Sequence, residues 1–333
     1  QKALAEVQAV TKANTTQMAA YKAKAIEVGT ATGVGATQAA GALAELAKGG
    51  LSVKDTLTAL DGTIALAQSS GMGFADSATT VVKALSTFNL KGNQATMVAD
   101  GLASAAAKTS MDVSDFAQAF AQGGAAAAAA GLNFDETVNV MGAMANKFQS
   151  GSDMGTSLKT TLTQLAHPTK RAQTAMKDLG IDVWQASGKI KPAAEMVKIL
   201  GEKFAGMTNK QKLATAATIA GTDGMRTLLA LSSSTGGKIR EVGSAQQMAA
   251  DKTDNLEGNL DKLKAQFDAL AISAGDQLVP ALTDATKQAT KFMQEMRTGK
   301  GTGGAIKTTL DDITGALNTV DDSQVMGTIR DQF

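Results

Sequence analysis

The chain has 333 residues, 44% of them hydrophobic and 4% aromatic, with 32 Lys and Arg against 31 Asp and Glu for a formal charge of +1. That apolar content excludes wholesale disorder, and the near-neutral balance excludes the bulk positive field of a general DNA or membrane-surface binder. The lack of Cys excludes a disulfide framework and thiolate chemistry while leaving the compartment open.

Ala, Gly, Thr and Met are abundant, so a core is built from small side chains with Met filling gaps, a mixture that suits helix-on-helix packing. Pro stands only at 168, 192 and 280. The expected fold is all-α, with repeated helical hairpins forming a compact bundle or short solenoid, one small β-hairpin near 182–191, and a long C-terminal helix. The chain begins at Gln1 without Met or a tripartite leader, which reads as a fragment or processed product. No window offers the roughly 18 consecutive apolar residues of a spanning helix.

Residues 1–48 read as a helical lead-in and 49–166 as three hairpin repeats. "GLSVKDTL" at Gly50, "NLKGNQAT" at Asn89 and "GLNFDETV" at Gly131 open alike, with Leu51, Leu90 and Leu132 separated by 39 and 42 positions. A second series, at Phe74, Val113 and Met154, runs between them at separations of 39 and 41. Two interleaved series at about forty residues define a helical hairpin repeated three times. Ser52 with Asp55, and Asn133 with Glu136, have the spacing by which a short side chain and an acid satisfy free amides at a helix start. Within the helices, apolar residues recur at three and four, as in Leu57, Leu60 and Ile64, or Val138, Met141, Met144 and Phe148.

The run Ala125, Ala126, Ala127, Ala128, Ala129, Ala130 falls where the second hairpin's return helix should end, with Gly131 as its stop. An Ala-edged helix lets a neighbouring backbone approach closely. Gln118 and Gln122 interrupt the segment and Asp115 and Asp135 flank it, which favours a close-packing helix over a membrane span.

Charge is uneven along the chain. Residues 112–158 hold five acids and one base, and 159–212 hold ten bases and four acids. This reads as ordinary solvated surface, or as two faces that meet each other or a neighbouring copy.

Residues 167–235 read as a helical subdomain: Pro168 at a helix start, Gly180 at the stop, then "DVWQASGKIKP" as a hairpin of strands around Ser187-Gly188. Residues 236–298 read as long amphipathic helices, beginning with a polar helix from Lys238. In it Leu256, Leu260, Leu263, Phe267 and Leu270 form a heptad seam that suits a partner helix or, equally, a face laid on the chain's own body. Pro280 starts or kinks a further helix, and 299–333 reads as a flexible break with a short final helix.

The succession "LAKGGLS", the capped hairpins, "LAHPTKRA", "KDLGIDVWQASGKIKP" and "LVPALT" resembles the core region of phage tail tape measure proteins, in order, from about Gln1 to Leu282. The positions that carry the resemblance are Gly50, Leu51, Ser52, Pro168, Thr169, Leu179, Gly180, Gly188, Pro280, Ala281 and Leu282. His167 departs from it, standing where that family has Asn before Pro-Thr. The resemblance implies a virion protein inside or at the tip of the tail, made in the host cytoplasm and homo-oligomeric around the tail axis. It implies tail-tube and tail-tip or baseplate proteins as partners, possible transient contact with the host membrane, and no sequence-specific nucleic acid. The implied roles are tail length determination, assembly and genome ejection at infection.

No catalytic constellation stands out, and no enzyme activity, cofactor or metal is expected. A metallopeptidase needs several His and acid ligands, and the chain has one His. Acid pairs that could serve a glycoside hydrolase, such as Asp135 with Glu136, sit in first helical turns where capping explains them. "GTGGAI" at Gly301 lacks the Lys-Ser/Thr ending of a phosphate loop. The hairpins alone would also fit an α-solenoid interaction module, and the Ala-rich hairpin a membrane-active protein.

Overall fold

A computed structural model describes residues 2–234 and 239–274. The expectations for Pro280, Ala281, Leu282 and the terminal break lie outside these residues. In chain order the helices are α1 (Lys2–Thr11), α2 (Thr15–Thr32), α3 (Ala36–Lys48), α4 (Val53–Ser70), α5 (Phe74–Thr87), α6 (Ala95–Lys108) and α7 (Val113–Ala129). There follow α8 (Phe134–Ala145), α9 (Gly151–Ala166), α10 (Lys170–Leu179), α11 (Ala193–Ala205), α12 (Asn209–Ser232), α13 (Ser244–Thr253) and α14 (Leu256–Ala274). A single 3-10 turn, Gly92–Gln94, leads into α6.

The described residues fall into two compact units, one of 2–44 with 253–274, the other within Glu45–Lys252. In the first, Asn14 and Gln17 form a reciprocal capping box at α2, which ends at Gly33 in the left-handed conformation. The turn into α3 is so tight that a Cβ on Gly29 would lie 2.5 Å from the Gly35 carbonyl carbon. Tyr21, Ala25 and Val28 form the buried stripe of α2, and α14 packs against this helix.

The second unit holds the three helix pairs α4/α5, α6/α7 and α8/α9. Ser52, Asp112, Asn133 and Ser150 each accept the backbone N–H three residues on, which fixes where α4, α7, α8 and α9 begin. The pairs bury Leu60, Ile64, Leu85, Leu102, Phe116, Phe134 and Met141 almost completely. Each helix contacts the helix two places further on: α4 packs on α6, α5 on α7, α6 on α8 and α7 on α9. Beyond them, α9 packs on α12, which also carries α10 and α11.

The β-hairpin expected near 182–191 is not present: among the described residues no strand forms, and only an isolated antiparallel bridge joins Trp184 to Ile190. The turn at Ser187-Gly188 is real, with Gly188 at φ 80 and its N–H donated to the Gln185 carbonyl. Two backbone bonds flank the bridge, from the Gln185 N–H to the Lys189 carbonyl and from the Lys191 N–H to the Val183 carbonyl, both at 2.8 Å. Pairing ends there because the groups next in line bond elsewhere: the Gln185 carbonyl takes the Gly188 N–H of the turn, and the Ile181 N–H goes to the Met176 carbonyl of α10 at 2.8 Å. The outward-facing Ile190 N–H goes to the Ala130 carbonyl at 2.8 Å. The polar helix read from Lys238 also changes. Residues 239–243 are non-helical, α13 starts at Ser244, and a break at Asp254-Asn255 separates it from α14.

Candidate functional site: the helix-packing seams

Two of the contacts between alternate helices bring backbone against backbone. On α9, Gly151 and Gly155 are four residues apart and face Asp115, Ala119 and Gly123 of α7, so that a Cβ on either glycine would overlap the opposing main chain. A Cβ on Gly123 would in turn lie 2.8 Å from the Gly155 carbonyl oxygen. This is the small-xxx-small arrangement that lets helices touch along their backbones. In the α4–α6 contact, Gly92 meets the Asp55 backbone, and a Cβ on Gly62 would lie 2.5 Å from the Ala95 carbonyl carbon.

The same acid position locks both seams. Asp55, in the first turn of α4, accepts the Gly92 N–H at 2.9 Å, and Asp115, in the first turn of α7, accepts the Gly151 N–H at 2.9 Å. Each carboxylate thereby satisfies an orphan amide at the start of a helix 36 or 37 residues further on. The Ser52 hydroxyl and then the Gly92 N–H hold the Asp55 carboxyl below its ordinary range. At the equivalent place in α9, Asp153 instead takes Arg226 of α12 through both carboxylate oxygens, and Arg226 draws the Asp153 carboxyl down. Asp100, only 2% exposed, reaches from α6 to accept the Gly243 and Ala245 N–H groups at 2.8 and 3.0 Å, capping α13 from outside.

The other two contacts between alternate helices use aromatic rings. Phe134 of α8 lies against Gly101 of α6, and the rings of Phe88, Phe120 and Phe134 pack mutually with centroids 5.2 to 6.0 Å apart.

The alanine run lies at the C-terminal end of α7. Ala127 and Ala130 are buried, Ala126 and Ala128 half-buried, and Ala125 and Ala129 exposed. Ala126, Ala129 and Ala130 line a groove of about 690 Å³ together with Leu162, His167 and Trp184. His167 caps the C-terminus of α9 and is exposed, and the Trp184 Nε1–H donates to the Leu165 carbonyl at 3.2 Å. Among the described residues no group of His, Asp or Glu could hold a metal ion, and no helix is long and apolar enough to cross a membrane.

The positions that carried the family resemblance are largely caps and turns. Gly50 has φ 82, Leu51 is half-buried, Ser52 caps α4, and Thr169 caps α10 with Pro168 just before it. Leu179 ends α10 and Gly180 caps it at φ 60. Of the heptad positions, Leu260 is half-buried and Leu263 is 45% exposed, while the side chains of Leu256, Phe267 and Leu270 lie outside the described residues. Sequence reasoning missed Gly92, Gly151, Gly155 and the outward reach of Asp55, Asp100 and Asp115. The visible signal was the Gly-x-x-x-Gly of "GSDMG" directly after Ser150, the residue that caps α9.

These seams define a helical packing module whose polar groups join one helix to another. The profile of the family described as phage-related minor tail protein matches residues 22–221, and the chain belongs to that family. The tape measure protein of Pneumococcus phage Dp-1 is 31% identical over 299 residues, covering 87% of this chain and 26% of that protein. The probable tape measure protein of Escherichia phage P2 is 26% identical over 295 residues, 84% of this chain and 36% of that protein. The chain thus spans well under half the length of these relatives. No solved structure matches it significantly.

Proposed function

We propose that this chain is the folded packing segment of a tail tape measure protein, acting mechanically and catalysing no reaction. The observation that carries the reading is the pair of glycine seams, α4–α6 and α7–α9, in a chain of the minor tail protein family. The names of both relatives support it. In this reading the protein lies inside the phage tail or at its tip, in several copies around the tail axis, against tail-tube and tip or baseplate proteins. The full-length protein takes part in tail length determination, and assembly and genome ejection fall to this segment. The half-buried and exposed leucines of α14, Leu260 and Leu263, are offered as one seam for a neighbouring copy.

Folding back into hairpins removes this segment from the measuring role itself. A continuous helix of this length would extend roughly 500 Å at 1.5 Å per residue, whereas hairpins return on themselves. Measuring then belongs to other stretches of the full-length protein. Electron microscopy of tails from phage carrying an in-frame deletion of this segment tests the proposal. Failed assembly, or tails of unchanged length that eject poorly, is expected. Tails shortened by roughly 500 Å would overturn the compact reading, and normal infectious tails would overturn the tail role.

A further inference from the structure

Charge in the second unit is segregated along the sequence, although the chain as a whole carries only +1. Every acid between residues 112 and 158 has an intramolecular partner: Asp112 and Glu136 cap α7 and α8, Asp115 holds Gly151, Asp135 takes Arg240 and Asp153 takes Arg226. Both arginines come from outside the basic segment, so the ten bases of 159–212 are left facing only four acids. Lys191 alone of these ten makes an ion pair among the described residues, with Glu195 at 3.1 Å and Asp182 at 4.0 Å. That pairing sets one base against two of the four acids.

Six of the remaining cations sit on three associated helices and are exposed: Lys170, Arg171 and Lys177 on α10, Lys198 and Lys203 on α11, and Lys210 in the first turn of α12. Helix α12 packs on both α10 and α11, and the Lys203 ammonium lies 3.2 Å from where a Gly180 Cβ would stand, which ties the end of α11 to the end of α10. The acids left on these helices are Asp178, Glu202 and, beyond the start of α12, Asp223. We propose that the exposed cations of α10, α11 and the start of α12 form a sequence-independent docking surface for the phosphodiester backbone of double-stranded nucleic acid.

Three observations select that occupant. A second copy would have to offer a cluster of free acids, and the five of the acid-rich segment 112–158 already serve caps, amides and arginines inside the molecule. A membrane surface needs apolar side chains beside the cations, and on these helices Leu213 is the one exposed large apolar residue. Single strands need aromatic platforms, and the aromatic residue of these helices, Phe204, is buried. What remains is a set of long, flexible point charges with nothing to read a base edge, which is the chemistry of backbone contact. The inference rests on this charge balance and not on the tail role.

Fluorescence anisotropy of the purified chain with a roughly 30-base-pair duplex of mixed sequence tests it. Binding is expected at low salt and should weaken about a hundredfold between about 50 and about 200 mM, as for about four neutralised phosphates. The triple variant Lys170→Glu, Arg171→Glu, Lys177→Glu should bind at least about tenfold more weakly with a shallower salt dependence, while Lys170→Arg with Lys177→Arg retains binding. All these positions are exposed, so the melting curves should superimpose on the parent's. No binding at low salt, or a triple variant that binds like the parent, would overturn the proposal. So would capture of poly-Glu or anionic vesicles in preference to duplex.

Discussion

The α7–α9 seam and the aromatic cluster solve the same task, joining a helix to the next but one, by opposite means. At α7–α9 the side chain is deleted, so that Gly151 and Gly155 admit the α7 backbone and Asp115 can reach an amide on the other helix. At α6–α8 the side chain is enlarged, and Phe134 fills the space above Gly101 while touching Phe88 and Phe120. The first contact has no room for any added atom. The second responds to volume in proportion, because a smaller residue leaves a cavity of graded size.

Substitution should separate the two. Phe134→Ala is expected to cost about 3–5 kcal/mol in urea unfolding, and Phe134→Leu a fraction of that. Gly151→Ala adds one carbon and is expected to cost about 1–3 kcal/mol or more, because the clashing atom is backbone and cannot swing away. Gly50→Ala is the control: no atom lies within 4 Å of a Cβ there, and only its φ of 82 is at stake, worth about 1–2 kcal/mol. If Gly151→Ala costs no more than Gly50→Ala, the seam is looser than its geometry and the contrast with Phe134 fails.

The same contrast marks what the sequence could reveal. Local signals were legible: the all-helical body, the doubled forty-residue spacing, Ser52 and Asn133 as caps, and the stop at Gly131 all stand where pattern placed them. The caps and the stop need only residues within one turn of one another, and the forty-residue spacing only repeats such local starts. Asp115 to Gly151 spans 36 residues and Asp100 to Ala245 spans 145, and no periodicity within a helix announces such a pair. Trp184 and Ile190 misled because β-prone flanks signal pairing but not its extent: the turn takes the Gln185 carbonyl and the end of α10 takes the Ile181 N–H, which leaves one bridge between them.

A finer test lies within the acids themselves. Asp115→Ala leaves the Gly151 N–H facing a packed seam without its acceptor and is expected to cost about 1–3 kcal/mol. Asp153→Ala removes a partly exposed ion pair and is expected to cost about 1 kcal/mol or less by the same unfolding measurement. Equal costs would mean that the interhelical cap contributes no more than a surface pair.

The smallest effect is in pH and salt. Asp55 and Asp153 are both held below the ordinary value of 3.8, the first by the Ser52 hydroxyl and the Gly92 N–H, the second by Arg226. A depressed carboxyl contributes stability that is fully present above its unfolded value and is lost as pH falls through the folded one. Acid titration of the melting temperature should therefore steepen below about pH 4, and Asn at either position should flatten that limb. Salt tells the two apart. Raising ionic strength to about 1 M screens the partly exposed Asp153–Arg226 pair and should remove most of its share, while the short hydrogen bonds that fix Asp55 persist. An Asp55→Asn difference that vanishes with salt would show the α4–α6 lock to be simple charge attraction, and the two kinds of first-turn acid to be one.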